Sequence, residues 1–332
     1  MAENFIISQG NGISVQYNGK KIVLDPSSSV DADVIFISHA HMDHMHRPKQ
    51  NSVVLTSHET AYLAAQRDNE LGAVETELEG YEMIDSGHIL GSRGLLIENE
   101  LYYTGDIAGR PRGFLPRGKP VKCKTLILES TFGEEEYRFP PIAIVQDRVN
   151  KLIADLFSRG IPVLLMGYAL GKAQIVSYLF SSWQPMYSHE AVLKMNDAYR
   201  TLNVDLKGES IEISKAEEEG LLKRMPWVMV APMSSGRSKF VKSLKEKYGV
   251  VTIGFSGWAV NESYKHSRAL DYAFPISDHC DFYELVSFVK ECAPEKVYTF
   301  HGSAVSLAEH LREIGFDAEP LLGAQKSLKS FI

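Results

Sequence analysis

The sequence has 332 residues, 44% of them hydrophobic and 23% charged, with 25 Gly, 14 Pro and a formal net charge of −7. This is the composition of a folded, non-repetitive chain long enough for two domains, and it excludes a disordered or fibrous one. No apolar run nears the roughly 20 residues that cross a bilayer, and MAENFIISQGNG has no basic stretch leading into a long apolar one, so a cytoplasmic protein with no membrane partner is expected.

In chain order, Ile13, Val15 and Tyr17 alternate with polar residues before Asn18-Gly19, and Ile22, Val23 and Leu24 follow, which predicts a β-hairpin on an Asn-Gly turn. Gly10-Asn11-Gly12 reads as another turn, because a phosphate-binding glycine loop would have to open a helix after a strand. The apolar run 34–37 ends at Ser38-His39-Ala40-His41, so a row of histidines starts where a buried strand stops. Further strands are predicted at 53–56, 95–98, 101–104 and 125–129, which makes the first portion sheet-dominated. After Pro140-Pro141 the pattern changes. Ile142, Val145, Val149, Leu152, Ile153 and Leu156 recur at helical spacing until a stop near Gly160. Strand 162–166, helix 171–180, strand 228–231, helix 237–247 and strand 250–253 then suggest βαβ units on a mainly parallel sheet. The tail reads as helix 282–292, strand 296–300, helix 305–314 and a last strand near 318–321. Cys123, Cys280 and Cys292 are an odd number without a Cys-x-x-Cys pair, so buried thiols are expected rather than disulfides or a thiolate site.

The segment His39-Ala40-His41-Met42-Asp43-His44 carries four potential metal ligands in six residues, and an extended backbone sends His39 and His41 to the same side. Imidazole nitrogen and carboxylate oxygen suit a borderline divalent cation; the alternative is a solvated polar loop. Two cations would need more donors than one loop supplies. His88, Asp106 and His301 stand at the ends of predicted strands, where each alone reads as a hydrogen-bonded structural residue and together they read as further ligands.

This order resembles the metallo-β-lactamase fold, whose nucleases share His-x-His-x-Asp-His, then a His, then an Asp, with an earlier Asp at a strand end, here Asp25. The resemblance implies that His39, His41 and His88 bind one metal, that Asp43, His44 and His301 bind the other, and that Asp106 bridges them. It also implies that Asp25 orients a ligand imidazole by hydrogen bonding, the alternative being a surface Asp before a Pro turn. Leu128-Glu129-Ser130-Thr131-Phe132-Gly133, Ser277-Asp278-His279 and His301-Gly302 are similar to the three extra motifs of the β-CASP nucleases, in which an α/β cap is inserted between the first and second. The likeness spans essentially the whole chain. It implies an α/β protein: a metallo-β-lactamase αββα sandwich from 1–134 and 275–332, with a β-CASP cap from 135–274, in agreement with the change of pattern after Pro140. Tyr137-Arg138-Phe139-Pro140, the segment 168–174 and Ser256-Gly257-Trp258 look most like the short ligase-associated DNA exonucleases and related archaeal RNA-processing exonuclease-like proteins. DNA-repair members of the family usually carry Val where His301 stands, whereas RNA-processing members carry His.

The activity so implied is hydrolysis of nucleic-acid phosphodiesters with two divalent metal ions, zinc or manganese, since an all-nitrogen-and-oxygen site accepts either. His279 is expected to protonate the leaving sugar oxygen, oriented and kept protonated by Glu129; the plainer readings are a structural histidine and a strand-end ion pair. The expected partner is nucleic acid, single-stranded DNA favoured over RNA, together with repair proteins such as a ligase. Exonuclease action on single-stranded DNA ends in repair stands beside an RNA-processing exo- or endonuclease and an inactive nucleic-acid-binding scaffold; the insert and His279 speak against a small-molecule hydrolase. Thr131, Lys172, Ser235 and Arg237 are candidate substrate contacts. Lys172, Ser235 and Arg237 lie where predicted helices open, so the choice there is between phosphate contact and helix capping. Arg110, Arg112, Arg117, Lys119, Lys122 and Lys124, with no acidic residue from 107 to 128, read either as a basic edge for phosphates or as a solvated loop. Trp258 either stacks on a base or belongs to a core.

Overall fold

The computed structural model describes residues 5–46 and 52–322. The chain forms two compact units, one from residues 1–110, 117–136 and 279–332, the other from residues 111–116 and 137–278.

The first unit opens with strands β1 (Ile6–Gly10), β2 (Gly12–Tyr17) and β3 (Lys20–Leu24), paired antiparallel. Asn18 and Gly19 take φ of 48° and 74°, the doubly left-handed turn that a two-residue hairpin needs. Strands β4 (Val34–Phe36) and β5 (Val53–Leu55) add in parallel to complete a five-stranded sheet. Helix α1 (His58–Ala65) follows, capped by Ser57, whose hydroxyl accepts from Thr60 N. Strands β6 (Tyr81–Asp85), β7 (Arg93–Ile97), β8 (Leu101–Tyr103) and β9 (Thr125–Glu129) begin a second sheet.

The second unit runs α2 (Ile142–Ser158), β10 (Val163–Gly167), α3 (Lys172–Leu179), β11 (Met186–Ser188), α4 (Glu190–Thr201), β12 (Ile211–Glu212), α5 (Ile213–Glu218), β13 (Val228–Pro232), α6 (Lys239–Tyr248), β14 (Val251–Phe255), α7 (Ser263–Ser267) and β15 (Tyr272–Phe274). Its six strands lie in the order β12-β11-β13-β10-β14-β15 and every pairing is parallel. Val163, Leu165, Val228 and Val230 face the α2 stripe Val145, Val149, Ile153 and Leu156, while Leu164, Met166 and Met229 bury the opposite face against Val241 and Leu244 of α6. A sheet covered on both faces needs unbroken apolar strands, and β10 and β13 have them.

The chain returns to the first unit with α8 (Phe282–Cys292), β16 (Lys296–Phe300), α9 (Ala304–Glu313) and β17 (Ala318–Pro320), closing the second sheet in the order β17-β16-β9-β8-β7-β6. Val15, Ile22, Leu24 and Phe36 of one sheet meet Leu95, Leu101, Tyr103, Ile127 and Phe300 of the other in a shared core. Leu285, Val289, Leu307 and Leu311 of α8 and α9 pack on the outer side of the second sheet, against Leu126 and Leu128. This is the layered α/β architecture that the motif order implies.

The site follows from where these strands stop. Leu24 lies opposite Phe36 and Glu129 opposite Phe300, so these neighbouring parallel strands end level with one another, while β8 stops at Tyr103, opposite Ile127 and two residues short of the end of β9. Asp25, Ser38-His39, Asp106, Glu129 and His301 all stand just past, or at, those ends.

The junctions differ from the expected 134/135 and 274/275. Residues 275–278 stay with the second unit, where Lys172 Nζ donates to Ile276 O and Arg112 Nη1 to Ser277 O. Residues 111–116 join them, with Phe114 packed edge-on against Tyr178 and Tyr199. The three cysteines are free and buried. No helix among the described residues is long and apolar enough to cross a membrane.

Candidate metal centre

His39, His41, His88 and Asp106 bring one donor atom each to within 4.8 Å of the others, and His44, Asp106 and His301 do the same, so the two groups share Asp106. In the first group His39 Nε2 and His88 Nε2 lie 3.0 and 3.1 Å from His41 Nδ1, and 3.6 and 3.5 Å from Asp106 Oδ2. Four ligands at bond lengths near 2 Å around a tetrahedral cation are separated by roughly 3.3 Å, so this spacing suits one ion among them. His44 Nε2 is 3.4 Å from the same carboxylate oxygen. Asp106 Oδ1 is buried and has no hydrogen-bond partner among the described residues, an arrangement costly for a carboxylate unless a cation meets it. On these observations the residues fit a divalent metal.

The electrostatics agree. Burial, and after it the nearby His44, His88 and His41 rings, push the His39 imidazole well below its usual pKa, which keeps a lone pair available. Burial would also lower His44, but the carboxylates of Asp106 and Asp25 outweigh it and hold that imidazole up to about 10. Positive charge is therefore disfavoured on His39 and drawn to the neighbourhood of Asp106.

Asp25 is buried and accepts four hydrogen bonds, from Ser38 N at 2.7 Å, Ser38 Oγ at 2.5 Å, Tyr103 OH at 2.8 Å and His44 Nδ1 at 2.9 Å. Accepting the hydrogen bond from His44 Nδ1–H leaves the ring's lone pair on Nε2, on the side of Asp106. Ser38 carries the same order one residue further. Its hydroxyl gives its proton to Asp25 and so receives one from His39 Nδ1 at 2.9 Å, which again frees Nε2. Ser38 and Tyr103 escaped the sequence reading; Ser38 adjoins the histidine row, whereas nothing local in the sequence marks Tyr103. Asp43 lies at the rim. Its side chain is 82% exposed, with Oδ2 3.9 Å from His44 Nε2, and it belongs to neither group of clustered donors.

His301 has a left-handed backbone, φ 62°, followed by Gly302 at φ 49°. Ser130 fixes this turn: its Oγ donates to Phe300 O at 2.7 Å and His301 O at 2.6 Å. A Cβ on Gly302 would lie 2.5 Å from Thr131 Cα, so the strand end 128–131 and the 301–302 turn interlock only through a glycine.

Glu129 is fully buried. Its Oε1 accepts from His279 Nδ1 at 2.8 Å and Ile107 N at 3.1 Å, and its Oε2 from Thr131 N at 2.9 Å. Burial would raise this carboxyl, but the His279 imidazole and the Thr131 donors reverse the effect and bring it to about 2. The His279 ring lies 4.6 Å from that of His88, and Asp106, Glu129 and His279 also share a donor group within 4.8 Å. Thr131 thus meets Glu129 through both its backbone N–H and its side chain.

The remaining expected substrate contacts sit in the second unit. Lys172 is 3% exposed, with Nζ 2.7 Å from Asp278 Oδ1, so its ammonium is neutralised in the interior and does not face solvent at the helix start as expected. An amine so buried requires a carboxylate partner, and burial lowers its pKa against the pull of Asp278. Ser235 Oγ accepts from Arg237 N at 3.2 Å, a capping-type contact, and Arg237 is exposed. Helix α6 starts two residues later than expected, at Lys239, with Ser238 as its cap. Trp258 is 41% exposed, edge-on to Tyr137 at 5.4 Å. The basic edge is largely neutralised: Arg110 pairs with Asp281 and Glu284, Arg112 with Asp278, Arg117 with Glu291 and Lys124 with Glu100. Lys119 and Lys122 are exposed.

No family model matches the sequence. Among curated proteins, the chain is 33% identical over 303 residues to a probable DNA ligase of Opitutus terrae, covering 85% of this chain and 28% of that protein. It is 23% identical to an RNase J-like protein of Methanocaldococcus jannaschii, covering 87% of this chain and 89% of that one. It is 22% identical to cleavage and polyadenylation specificity factor subunit 3 of Dictyostelium discoideum, covering 88% of this chain and 51% of that one. The chain therefore spans little more than a quarter of the ligase relative and about half of the cleavage factor. The motif order, the shared-carboxylate cluster at strand ends and these relatives together carry one conclusion: the chain belongs to the β-CASP family of the metallo-β-lactamase fold.

Proposed function

We propose that the protein is a phosphodiester hydrolase using two divalent metal ions, an exonuclease on single-stranded DNA ends in repair, with the first unit as the metallo-β-lactamase domain and the second as the β-CASP cap. The observation that carries this reading is Asp106, one carboxylate common to two groups of donors. His39, His41, His88 and Asp106 would hold one ion and His44, His301 and Asp106 the other, with Asp43 near enough to His44 to turn in as a further ligand. Zinc is the proposed ion, and manganese suits the same donors. Such a pair of cations, when bound, supplies an acidified water and offsets charge on the phosphoryl oxygens.

The chain's own groups supply the rest. Glu129, ionised at any working pH, holds the His279 Nδ1 proton, so the opposite ring nitrogen is the one that can carry and release a second proton. The paired carboxylate stabilises the imidazolium form, and that form is the one able to protonate a leaving sugar oxygen. Asp25 and Ser38 keep His44 and His39 in the tautomers that turn Nε2 inward. An open cavity lined by Gln9, Ser27, Asp43, His44 and His301 adjoins the second donor group and offers room for a part of the substrate next to the scissile bond.

DNA as substrate is supported by the likeness to a protein named a probable DNA ligase, and RNA by the likeness to one named RNase J-like and by a histidine at position 301. The test is product mapping on matched end-labelled DNA and RNA single strands, with metal-loaded wild type and Asp106→Asn. The expected result is stepwise shortening of DNA that the substitution lowers by orders of magnitude. Consumption of RNA with DNA spared moves the protein to RNA processing; binding of either strand without cleavage makes it a scaffold; cleavage undiminished in Asp106→Asn removes the metal site from the reaction.

A further inference from the structure

Arg110 lies four residues beyond Asp106 and was one of the six cations readable as a phosphate-attracting edge. Its guanidinium is engaged elsewhere in the first unit. Nη2 donates to Asp281 Oδ2 and Nε to Glu284 Oε1, each at 2.6 Å. These two carboxylates form the capping box of α8: Asp281 Oδ1 accepts from Glu284 N, and Glu284 Oε2 from Asp281 N, both at 2.9 Å. Two acids facing each other at a helix start repel, and the guanidinium joins them with the two-pronged geometry that an ammonium lacks. The fit extends to the neighbouring residue. A Cβ on Gly109 would lie 2.6 Å from Glu284 Cβ and 2.7 Å from Glu284 Cδ, so only glycine lets this loop approach the helix.

The same loop reaches the candidate chemistry. Ile107 N donates to Glu129 Oε1 at 3.1 Å, and Ile107 O accepts from Cys280 N at 2.8 Å. Cys280 and Asp281 directly follow His279, whose Nδ1 meets the same Glu129 oxygen. Residues 106–110 therefore touch, in order, the metal-candidate cluster, the partner of His279, the residue after His279 and the first turn of α8. His279 itself sits in an irregular segment with no ladder of its own to hold it.

The geometry points to Arg110 as a positioning residue for His279. By locking the α8 capping box onto the loop that carries Asp106, it sets the His279 imidazole against Glu129 and beside the metal ligands. The inference rests on the nuclease reading for its kinetic arm only. Its rival is the role suggested by charge alone, a contact to substrate phosphate.

Three variants separate the two: Arg110→Met removes the cation, Arg110→Lys keeps the charge without the fork, and Gly109→Ala leaves every charge in place while pushing Glu284 away. Positioning predicts that Arg110→Met and Gly109→Ala both lower kcat on a labelled single strand, on the order of 10- to 100-fold, with KM and metal content unchanged, and that Arg110→Lys restores part of the loss. It also predicts that both shift the imaged imidazole 15N–1H resonances of His279, assigned with His279→Gln and recorded without substrate. The reverse pattern overturns it: Gly109→Ala indistinguishable from wild type, His279 resonances unmoved, and Arg110→Met raising KM while reducing the slope of log binding constant against log salt by about 0.7. If Arg110→Met does not fold, Arg110→Lys and Gly109→Ala make the same comparison. A wild type that cleaves neither nucleic acid would defeat the nuclease reading, and the resonances would still decide the role of Arg110.

Discussion

Replacing Asp25 by asparagine removes one negative charge and almost no volume, and the hydrogen bonds around it allow the consequence to be worked out. Oδ2 accepts from Ser38 Oγ, Tyr103 OH and His44 Nδ1, and Oδ1 from Ser38 N alone. The better asparagine rotamer keeps its carbonyl toward the first three and sets its amide against the Ser38 N–H, donor to donor. Bonds to a buried charged acceptor contribute about 1.5–3 kcal/mol each and neutral ones about 1 kcal/mol, while an unsatisfied buried group costs about 1–3 kcal/mol. Three weakened bonds and one broken one should destabilise the metal-free first unit by about 3–5 kcal/mol. Metal affinity should fall on the order of 10- to 100-fold, because His44 loses the partner that fixes its tautomer and raises its basicity. Tyr103→Phe deletes a single bond to the same oxygen and should cost about 1–2 kcal/mol, with a correspondingly smaller loss of affinity. Chelator-competition titration and denaturant unfolding of metal-free protein measure both quantities. An asparagine variant that binds metal within twofold of wild type, or a Tyr103→Phe variant as damaged as Asp25→Asn, would refute the assignment of Asp25 as the organiser of this corner.

Gly302→Ala should destabilise by about 2 kcal/mol or more, since φ of 49° disfavours any side chain and the new Cβ meets Thr131 backbone; thermal unfolding gives the loss, and metal counting should show fewer ions per chain because His301 moves with the turn. Asp271 gives a pH prediction in the second unit. Burial would raise its carboxyl, but the Lys245 ammonium and the two Thr252 donors hold it below the ordinary range. A carboxyl depressed on folding contributes stability above its unfolded pKa of about 3.9, and that contribution is lost as pH falls through the lower folded value. Denaturant midpoints measured from pH 6 down to pH 2 should therefore drop less steeply for Asp271→Asn than for the wild type.

Much of the donor cluster was legible because its densest part is local. His39, His41 and His44 fall within six residues at a strand end, and the segments that follow β6, β8 and β16 bring His88, Asp106 and His301 to them. The hydroxyls that order the site were less visible. Ser38 and Ser130 act through one oxygen each, and serine is too common at strand ends to carry a signal by itself. Among secondary elements, α4 went unread although Val192, Met195 and Tyr199 keep helical spacing, since Asn196 dilutes the stripe; it is buried because Gln174 Nε2 donates to its Oδ1 at 2.9 Å. Strand β1 lacks alternation because its whole length is at least partly exposed on a sheet edge.

Charge was the poorest guide, and the reason is physical. A run of cations between residues 107 and 128 with no acid among them looks unneutralised along the chain, yet its partners Asp278, Asp281, Glu284 and Glu291 arrive from the other end of the sequence. Lys172 makes the same point in the second unit, where a lysine at a helix start lies inside and spends its ammonium on Asp278 and the carbonyl of Ile276. Cations that meet carboxylates fix backbone, whereas cations that meet solvent attract phosphate. Composition cannot separate the two, because the distinction depends on partners more than a hundred residues away. For this chain it leaves Arg110, Arg112 and Lys172 committed to carboxylates, while Lys119 and Lys122 of the first unit and Arg237 of the second are exposed.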